Sequence, residues 1–253
     1  MSFLLNPYVF SDSRTFISIW DTRQVSTGSS DANSITLPIS TVNMLNLTVD
    51  WGDGTVNNSN THTYAEQGVK MIKIKGYIIM NPFNNSGDRL KLREITSWGE
   101  IYLSGAGIFR GVTNLSLANA SGKPIIGNNL SSFLRDNNSV TRINGVNTWD
   151  TSNVTTFIDA FRASAFNDNI GNWNFSGVTL STGFDNIMAQ KTPANFSASN
   201  YDSLLLGLAN QVNGLPSNVV WSAGTVKHTQ IGADAKAILI AQKNWTFTDG
   251  GQV

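Results

Sequence analysis

Two carboxylates three residues apart are the first residues in this chain whose chemistry suggests a site. Asp50 and Asp53 lie in the run Asp50-Trp-Gly-Asp-Gly-Thr55, and Ca²⁺ binds several carboxylate and carbonyl oxygens at once. The run holds no further acidic ligand, so we expect Asp53 to shape a tight turn and Asp50 to cap nearby amides. The pair is a weak candidate metal site, and we expect neither a metal nor another cofactor.

Residues that often carry catalysis or bind transition metals are scarce. The 253 residues contain no cysteine and two histidines, His62 and His228. Thiol catalysis, disulfides and thiolate metal sites are therefore excluded. We expect His62 to fill a hairpin next to the Asp53 turn, and His228 to lie in a solvated loop.

Glycan cleavage by paired carboxylates is the catalytic alternative that the sequence leaves open. It requires two carboxyl groups about 5–10 Å apart in space, and the candidates are Asp150, Asp159 and Asp168. An aspartate that follows tryptophan also suits a turn, so we expect structural roles for all three. No G-x-S-x-G or H-E-x-x-H motif occurs. The chain is predicted not to be an enzyme.

The composition disfavours one class of partner and favours a fold rich in turns. Seventeen basic residues balance seventeen acidic ones, which disfavours nucleic acid because that partner requires a basic patch. Asparagine, serine, threonine and glycine are abundant, and these residues suit turns. No apolar run reaches the length of a membrane span.

The first third of the chain reads as β-structure. Strands are expected at 16–20, 35–39, 45–49 and 69–75, and in the last two apolar and polar residues alternate. Pro38 marks the second strand as an edge strand, since proline has no amide hydrogen to donate. Trp51 is expected to be buried, just ahead of the tight turn at Asp53-Gly54.

A regular repeat of aromatic residues follows. Phe109, Phe133 and Phe157 are evenly spaced, and the interval from Trp149 to Trp173 is the same. A period in the twenties is typical of leucine-rich-type solenoids, and short helices are expected at 130–136, 155–163 and 181–190. Helices at 200–211 and 233–242, with strands at 219–221 and 245–248, are expected to close the open end.

Two stretches resemble known families. Asn46 to Thr55 with its WGDGT turn, followed by Thr61-His-Thr-Tyr64 and Gly68, resembles the PKD domain, which implies an immunoglobulin-like sandwich over about 14–80. Asn147 to Thr155 with Ala165-Phe-Asn167, Ile170 and Trp173 resembles the BspA-type repeat of bacterial surface proteins and some phage proteins. The segments 235–240 and 244–251 resemble the cap of such proteins. The resemblance implies adhesion or scaffold roles and assigns no ligand.

The expected fold class is therefore a mixed, β-rich fold with an N-terminal PKD/Ig-like β-sandwich and a C-terminal leucine-rich-repeat-like α/β solenoid with a helix–strand cap. Residues 14–88 would form the sandwich, 89–198 the solenoid and 199–253 the cap. Residues 1–13 would form a docking segment, or alternatively add a strand to the sandwich. The docking side chains are apolar: Phe3, Leu4, Leu5, Tyr8, Val9 and Phe10.

The functional expectation is a non-enzymatic phage virion surface protein. The chain has the composition of a surface protein, but its first residues show no basic n-region or apolar h-region. A tail-associated host-recognition protein or a capsid decoration fits both observations, with other virion proteins and a host glycan or protein as partners, in many copies or as a homo-oligomer. Neither nucleic acid nor membrane insertion is expected. An exported bacterial surface adhesin and a glycan-degrading tail enzyme are the alternatives.

Overall fold

The computed structural model describes residues 14–40 and 47–253. The predicted docking side chains at Phe3, Leu4, Leu5, Tyr8, Val9 and Phe10 lie outside the described residues. Within the described part, the strands and helices in chain order are β1 (Phe16–Asp21), β2 (Ser34–Thr36), β3 (Thr48–Asp50), β4 (Val56–Asn57), β5 (Thr61–Thr63), β6 (Val69–Lys75), β7 (Ile78–Met80), β8 (Leu92–Ser97), β9 (Ile101–Leu103), β10 (Ile125–Ile126), α1 (Ala198–Asn210), β11 (Val220–Ser222), α2 (Gln230–Lys243) and β12 (Thr246–Thr248).

The largest sheet has five antiparallel strands in the order β4-β3-β6-β1-β8. Alternation along β1 buries Phe16, Ser18 and Trp20, whereas Ile17 and Ile19 are partly exposed. This is the period-2 pattern expected of a strand with one face on the core. Strand β2 pairs with β5 alone in a two-stranded sheet, in keeping with the proline that follows it.

Two smaller sheets are parallel. Strands β7, β9 and β10 form one, in the order β10-β9-β7, and β11 pairs with β12 in the other. Parallel strands require a connection that crosses back over the sheet. Helix α2 supplies that connection between β11 and β12.

Between the sheets and the helices, consecutive turn-rich segments lie side by side. The amides of alternate residues from Gly105 to Gly111 donate to the carbonyls of alternate residues from Asn129 to Arg135. The next segments continue the pattern: alternate amides over 130–136 donate to carbonyls over 156–162, and alternate amides over 157–163 donate to carbonyls over 183–189. The aromatic rings at equivalent positions are in contact: Phe109 and Phe133 meet edge to face, with 5.5 Å between their centroids.

The expected fold class is wrong. The described residues form a β-rich arrangement of several small sheets with two α-helices, both after residue 197, and without the closure of a solenoid. The helices expected at 130–136, 155–163 and 181–190 are turns, apart from one 3-10 turn at Ser181–Phe184.

The reason lies in the backbone of these segments. Ser132, Asp136, Asp159 and Ala163 have φ values between 51° and 57°, in the left-handed region that a right-handed helix excludes. Backbone amides in these segments therefore donate to carbonyls of the next segment, and not to the carbonyl four residues earlier as in an α-helix.

The C-terminal elements were predicted more closely. Helix α1 lies where a helix is expected at 200–211, and α2 includes the helix expected at 233–242. Strands β11 and β12 lie within one residue of those expected at 219–221 and 245–248. The Ser197 hydroxyl accepts from the amide of Asn200 and caps α1. Asn244, in the left-handed conformation, ends α2.

One cluster of buried apolar side chains runs from Phe16 to Trp245. Strand β8 lies beyond the boundary predicted at residue 88, yet it pairs with β1. The division into a sandwich, a repeat region and a cap stays a prediction.

Candidate binding cleft

The carboxylates of Asp50 and Asp53 accept hydrogen bonds from amides of their own turn. Asp50 Oδ1 accepts from the Gly52 amide at 3.0 Å, and Asp53 Oδ1 accepts from the Thr55 amide at 2.9 Å. The other oxygen of Asp53 lies 2.7 Å from His62 Nε2, and this hydrogen bond lowers the pKa of Asp53 to about 2. Among the described residues, no group of three or more His, Cys, Asp or Glu is placed to hold a metal ion.

The same turn packs around a buried tryptophan. Trp51 is fully buried, which confirms that expectation. His62 stacks on its ring at 5.0 Å between centroids, and the Tyr64 hydroxyl donates to the Trp51 carbonyl at 3.0 Å. Burial raises the pKa of Tyr64 above its usual value. These contacts describe a packed hairpin.

The three candidate catalytic carboxylates have separate partners. Asp150 accepts from the amide and hydroxyl of Ser152, and these bonds lower its pKa. Asp159 pairs with Arg135 at 2.6 Å and with Arg162 at 3.4 Å. Asp168 accepts from the amides of Ile143 and Asn169.

His228 is buried, so the expectation of a solvated loop residue is wrong: it is 5% exposed. Its Nε2 lies 3.2 Å from Lys236 Nζ, which lies 2.7 Å from an Asp249 oxygen. Tyr201 donates to that same oxygen at 3.0 Å, and burial raises the pKa of Tyr201. Sequence reasoning missed this cluster because α1, α2 and the end of β12 meet through packing alone.

An open cleft of about 460 Å³ lies between two segments far apart in sequence. One wall is the turn at 172–176, and the other is the end of α1 with the turn that follows, 210–214. The lining is uncharged and rich in amides: Asn172, Trp173, Asn174, Ser176, Asn210, Gln211, Asn213 and Gly214. All four asparagines are exposed.

Gln211 joins the two walls. Its Oε1 accepts from the Phe175 amide at 2.7 Å, and its Nε2 donates to the carbonyls of Trp173 and Gly207 at 2.8 and 3.0 Å. The amide thereby ties the end of α1 to the turn at 172–176. Buried Trp173 beneath the cleft donates from its Nε1 to the Val146 carbonyl at 2.8 Å.

The preceding segment holds the 172–176 wall from behind. The backbone amide of Asn172 donates to Asn147 Oδ1, and the backbone amide of Asn174 donates to Thr151 Oγ1. Within the described residues, the side-chain amides of Asn172, Asn210 and Asn213 have no hydrogen-bond partner in the protein. Each offers two donors and an acceptor to a ligand. From the sequence, the asparagine content indicates turns and does not predict this cleft. The two walls are distant along the chain, and only folding brings them together.

Part of the chain matches the model of a protein family. Residues 128–204 match the family described as "Mycoplasma protein of unknown function, DUF285". The matched range covers less than a third of the chain and includes the 172–176 wall, but not the 210–214 wall. No curated protein and no solved structure matches. In the part of the chain that the structure describes, no helix has the length and apolar character needed to cross a membrane.

Proposed function

We propose that this chain is a non-enzymatic surface protein of a phage particle and that it recognises a glycan of the host envelope through the asparagine cleft. The observation that carries glycan recognition is the lining of the cleft, where Asn172, Asn210 and Asn213 present free side-chain amides. An amide group donates and accepts, as a sugar hydroxyl does. The lining carries no charge, which favours a neutral sugar.

The shape of the site favours a glycan over a protein partner. A stable protein interface buries at least about 1,000 Å² and centres on exposed aromatic or arginine anchors. The volume of the cleft is about 460 Å³, and the tryptophan in its lining, Trp173, is buried. A few sugar residues match this volume better than a folded protein surface does.

The cleft lacks the chemical groups that glycan cleavage requires. Hydrolysis requires an acid and a base or nucleophile beside the scissile bond, and the cleft lining contains no carboxyl group. Binding alone is the activity that the lining supports.

Display in many copies fits a shallow site. Few hydrogen bonds to a sugar give weak affinity, because binding must offset lost rotational freedom and desolvation. Several copies on one particle raise the overall affinity by effective concentration. We therefore propose a tail-associated or capsid position beside other virion proteins. On a bacterial surface adhesin, the same cleft would act in the same way.

The test compares variants of the cleft on a panel of neutral glycans and purified host envelope polysaccharide. We expect the double variant Asn172→Ala/Asn213→Ala to bind about 10-fold or more weakly, since each lost hydrogen bond contributes about 1 kcal/mol. Asn138→Ala is the matched control, because Asn138 is an exposed asparagine in an earlier turn.

Equal binding by the double variant and the control would remove the cleft from the proposal. Failure of the natural chain to bind any neutral glycan would overturn glycan recognition itself. Labelling of intact particles by an antibody against the chain tests the virion setting separately.

A further inference from the structure

His228 lies where α1, α2 and the residues after β12 meet, and its backbone holds those last residues in place. The His228 amide donates to the Gly251 carbonyl at 3.1 Å, and the His228 carbonyl accepts from the Val253 amide at 2.9 Å. His228 also pairs with Gln252 in a parallel bridge. The position of this buried histidine and that of residues 249–253 are therefore coupled.

The hydrogen bonds of the imidazole define its protonation. Nδ1 lies 3.0 Å from the carbonyl oxygen of Thr229, and a carbonyl only accepts, so Nδ1 carries the hydrogen. The other ring nitrogen, Nε2, lies 3.2 Å from Lys236 Nζ. An ammonium group has donors and no acceptor, so this contact is a hydrogen bond from Lys236 to a neutral imidazole.

The same lysine holds a carboxylate of the segment after β12. Lys236 Nζ lies 2.7 Å from Asp249 Oδ2, which also accepts from the Tyr201 hydroxyl at 3.0 Å. Burial raises the pKa of Asp249, but hydrogen bonds from Lys236 and the Gly251 amide outweigh burial and leave it below its ordinary value. This carboxylate therefore stays ionised near neutral pH.

The groups that face the imidazole from α1 do not supply a counter-charge to it. The Tyr201 ring lies 6.4 Å from the imidazole between centroids. Both oxygens of Asp202 accept from Thr229, one from its amide at 2.9 Å and the other from its hydroxyl at 2.6 Å. Lys227, next to His228 along the chain, is exposed.

A proton on Nε2 would break this arrangement. Histidine ordinarily gains its proton between about pH 8 and 5, and the added hydrogen removes the acceptor that Lys236 uses. It also places a second positive charge 3.2 Å from the ammonium group, in a buried place where like charges repel strongly. Because Lys236 binds Asp249 and His228 pairs with Gln252, movement of either side chain disturbs residues 249–253.

We propose that His228 is a pH-sensitive switch for residues 249–253: the neutral ring accepts from Lys236 and keeps the segment in place, and protonation frees it. The switch goes beyond glycan recognition at the cleft and does not depend on it. It acts on a few residues at the end of the described chain and leaves the five-stranded sheet folded.

Hydrogen exchange of the full chain, followed by mass spectrometry at pH 7.5 and pH 5.5, tests the switch. After correction for the intrinsic effect of pH on exchange, we expect protection over 226–229 and 249–253 to fall about 5- to 10-fold at the lower pH. Protection over β1 and β6 should stay within about twofold. Unchanged protection of residues 249–253, or an equal loss in β1 and β6, would overturn the proposal.

The variant His228→Gln cannot gain a proton in this range, so its residues 249–253 should show the same protection at both pH values. His62→Gln is the matched control, because His62 is the other histidine of the chain and lies on β5. This control should keep the response of the natural chain. The same loss of protection in His228→Gln would assign the pH dependence to another group and refute the switch.

Two further measurements hold even where His228→Gln does not fold. Lys236→Gln keeps a side-chain donor but removes the charge, so we expect the loss of protection at pH 5.5 to shrink to less than about twofold. In the natural chain, the nitrogen chemical shifts of the imidazole at pH 7.5 should show the hydrogen of His228 on Nδ1. A full pH response in Lys236→Gln, or a hydrogen on Nε2 at pH 7.5, would contradict the proposal.

Discussion

Lys191 is a buried lysine held by carbonyl oxygens. Its Nζ donates to the carbonyls of Ser164, Phe166 and Asn195 at 2.7, 2.5 and 2.9 Å. Lys91, also buried, differs because Asp88 lies 3.3 Å from its Nζ. Burial lowers the pKa of Lys191 to about 7. The side chain therefore joins its loop to the preceding segment by hydrogen bonds, but burial disfavours its charged form.

The lowered pKa of Lys191 predicts that the stability of the fold depends on pH. Between pH 7 and the ordinary lysine pKa near 10.5, the unfolded chain binds more protons at this position than the folded chain does. The free energy of unfolding should therefore rise with pH across this window, by up to about 1.4 kcal/mol per pH unit. We expect Lys191→Met to remove this contribution, as measured by urea unfolding at pH 7, 8 and 9. Lys123→Met, at an exposed lysine, should keep it, and equal slopes in the two variants would disprove the assignment.

Trp51 gives a second test at a single residue. Its side chain is fully buried, stacks on His62 and donates to Asn57 Oδ1 at 3.0 Å. We expect Trp51→Ala to lower the free energy of unfolding by about 3–5 kcal/mol. Val56→Ala, at an exposed position on β4, should change it by less than about 0.5 kcal/mol. A loss below about 1 kcal/mol for Trp51→Ala would show that the ring contributes little to the core.

At the scale of elements, close backbone contacts decide how α1 packs. A Cβ on Gly207 would clash with the carbonyl oxygen of Gly171, and a Cβ on Gly171 would clash with the carbonyl oxygen of Ser203. The helix backbone therefore lies directly against the segment that leads into the 172–176 turn. This contact, together with Gln211, places the two walls of the cleft.

The contact predicts a reversal of the usual helix preference at Gly207. In an exposed helix interior, Gly→Ala stabilises by about 1 kcal/mol. Here the added methyl group should push α1 away from Gly171, so we expect Gly207→Ala to destabilise by about 1–3 kcal/mol and to weaken glycan binding. Leu206→Ala, on the neighbouring exposed position, is the control in thermal unfolding. Stabilisation by Gly207→Ala would mean that the helix is not seated as described.

At the scale of the whole molecule, hydrogen-bonded strands cross the predicted boundary at residue 88. Strand β8 pairs with β1, and β9 pairs with β7. The buried apolar cluster is likewise continuous. Residues beyond 88 thus contribute to the sheet that the sandwich prediction placed entirely before them.

Two fragments test where the N-terminal unit ends. Residues 1–98 include β8, whereas in residues 1–88 β1 is an edge strand, paired with β6 on one side alone. We expect residues 1–98 to melt at a higher temperature and more cooperatively, followed by circular dichroism, because β8 satisfies the free backbone groups of β1. Equal melting of the two fragments would support the boundary at residue 88.

The sequence by itself determined features that depend on neighbours along the chain. Residue patterns predicted a strand over 16–20 and another over 69–75, a tight turn at Asp53-Gly54 after a buried Trp51, and helices where α1 and α2 lie. Side-chain periodicity reports which face of an element is apolar, and capping residues report where it ends.

The tertiary structure alone decided which remote segments meet. Nothing in the residue types of Ser132 or Ala163 signals a left-handed backbone, so turns that bond sideways looked like short helices. His228 is buried because α2 and the residues after β12 close over it. The cleft exists because Gln211 and the Gly171–Gly207 contact bring the end of α1 to a turn much earlier in the chain. Such contacts arise from packing in three dimensions, which local sequence patterns do not encode.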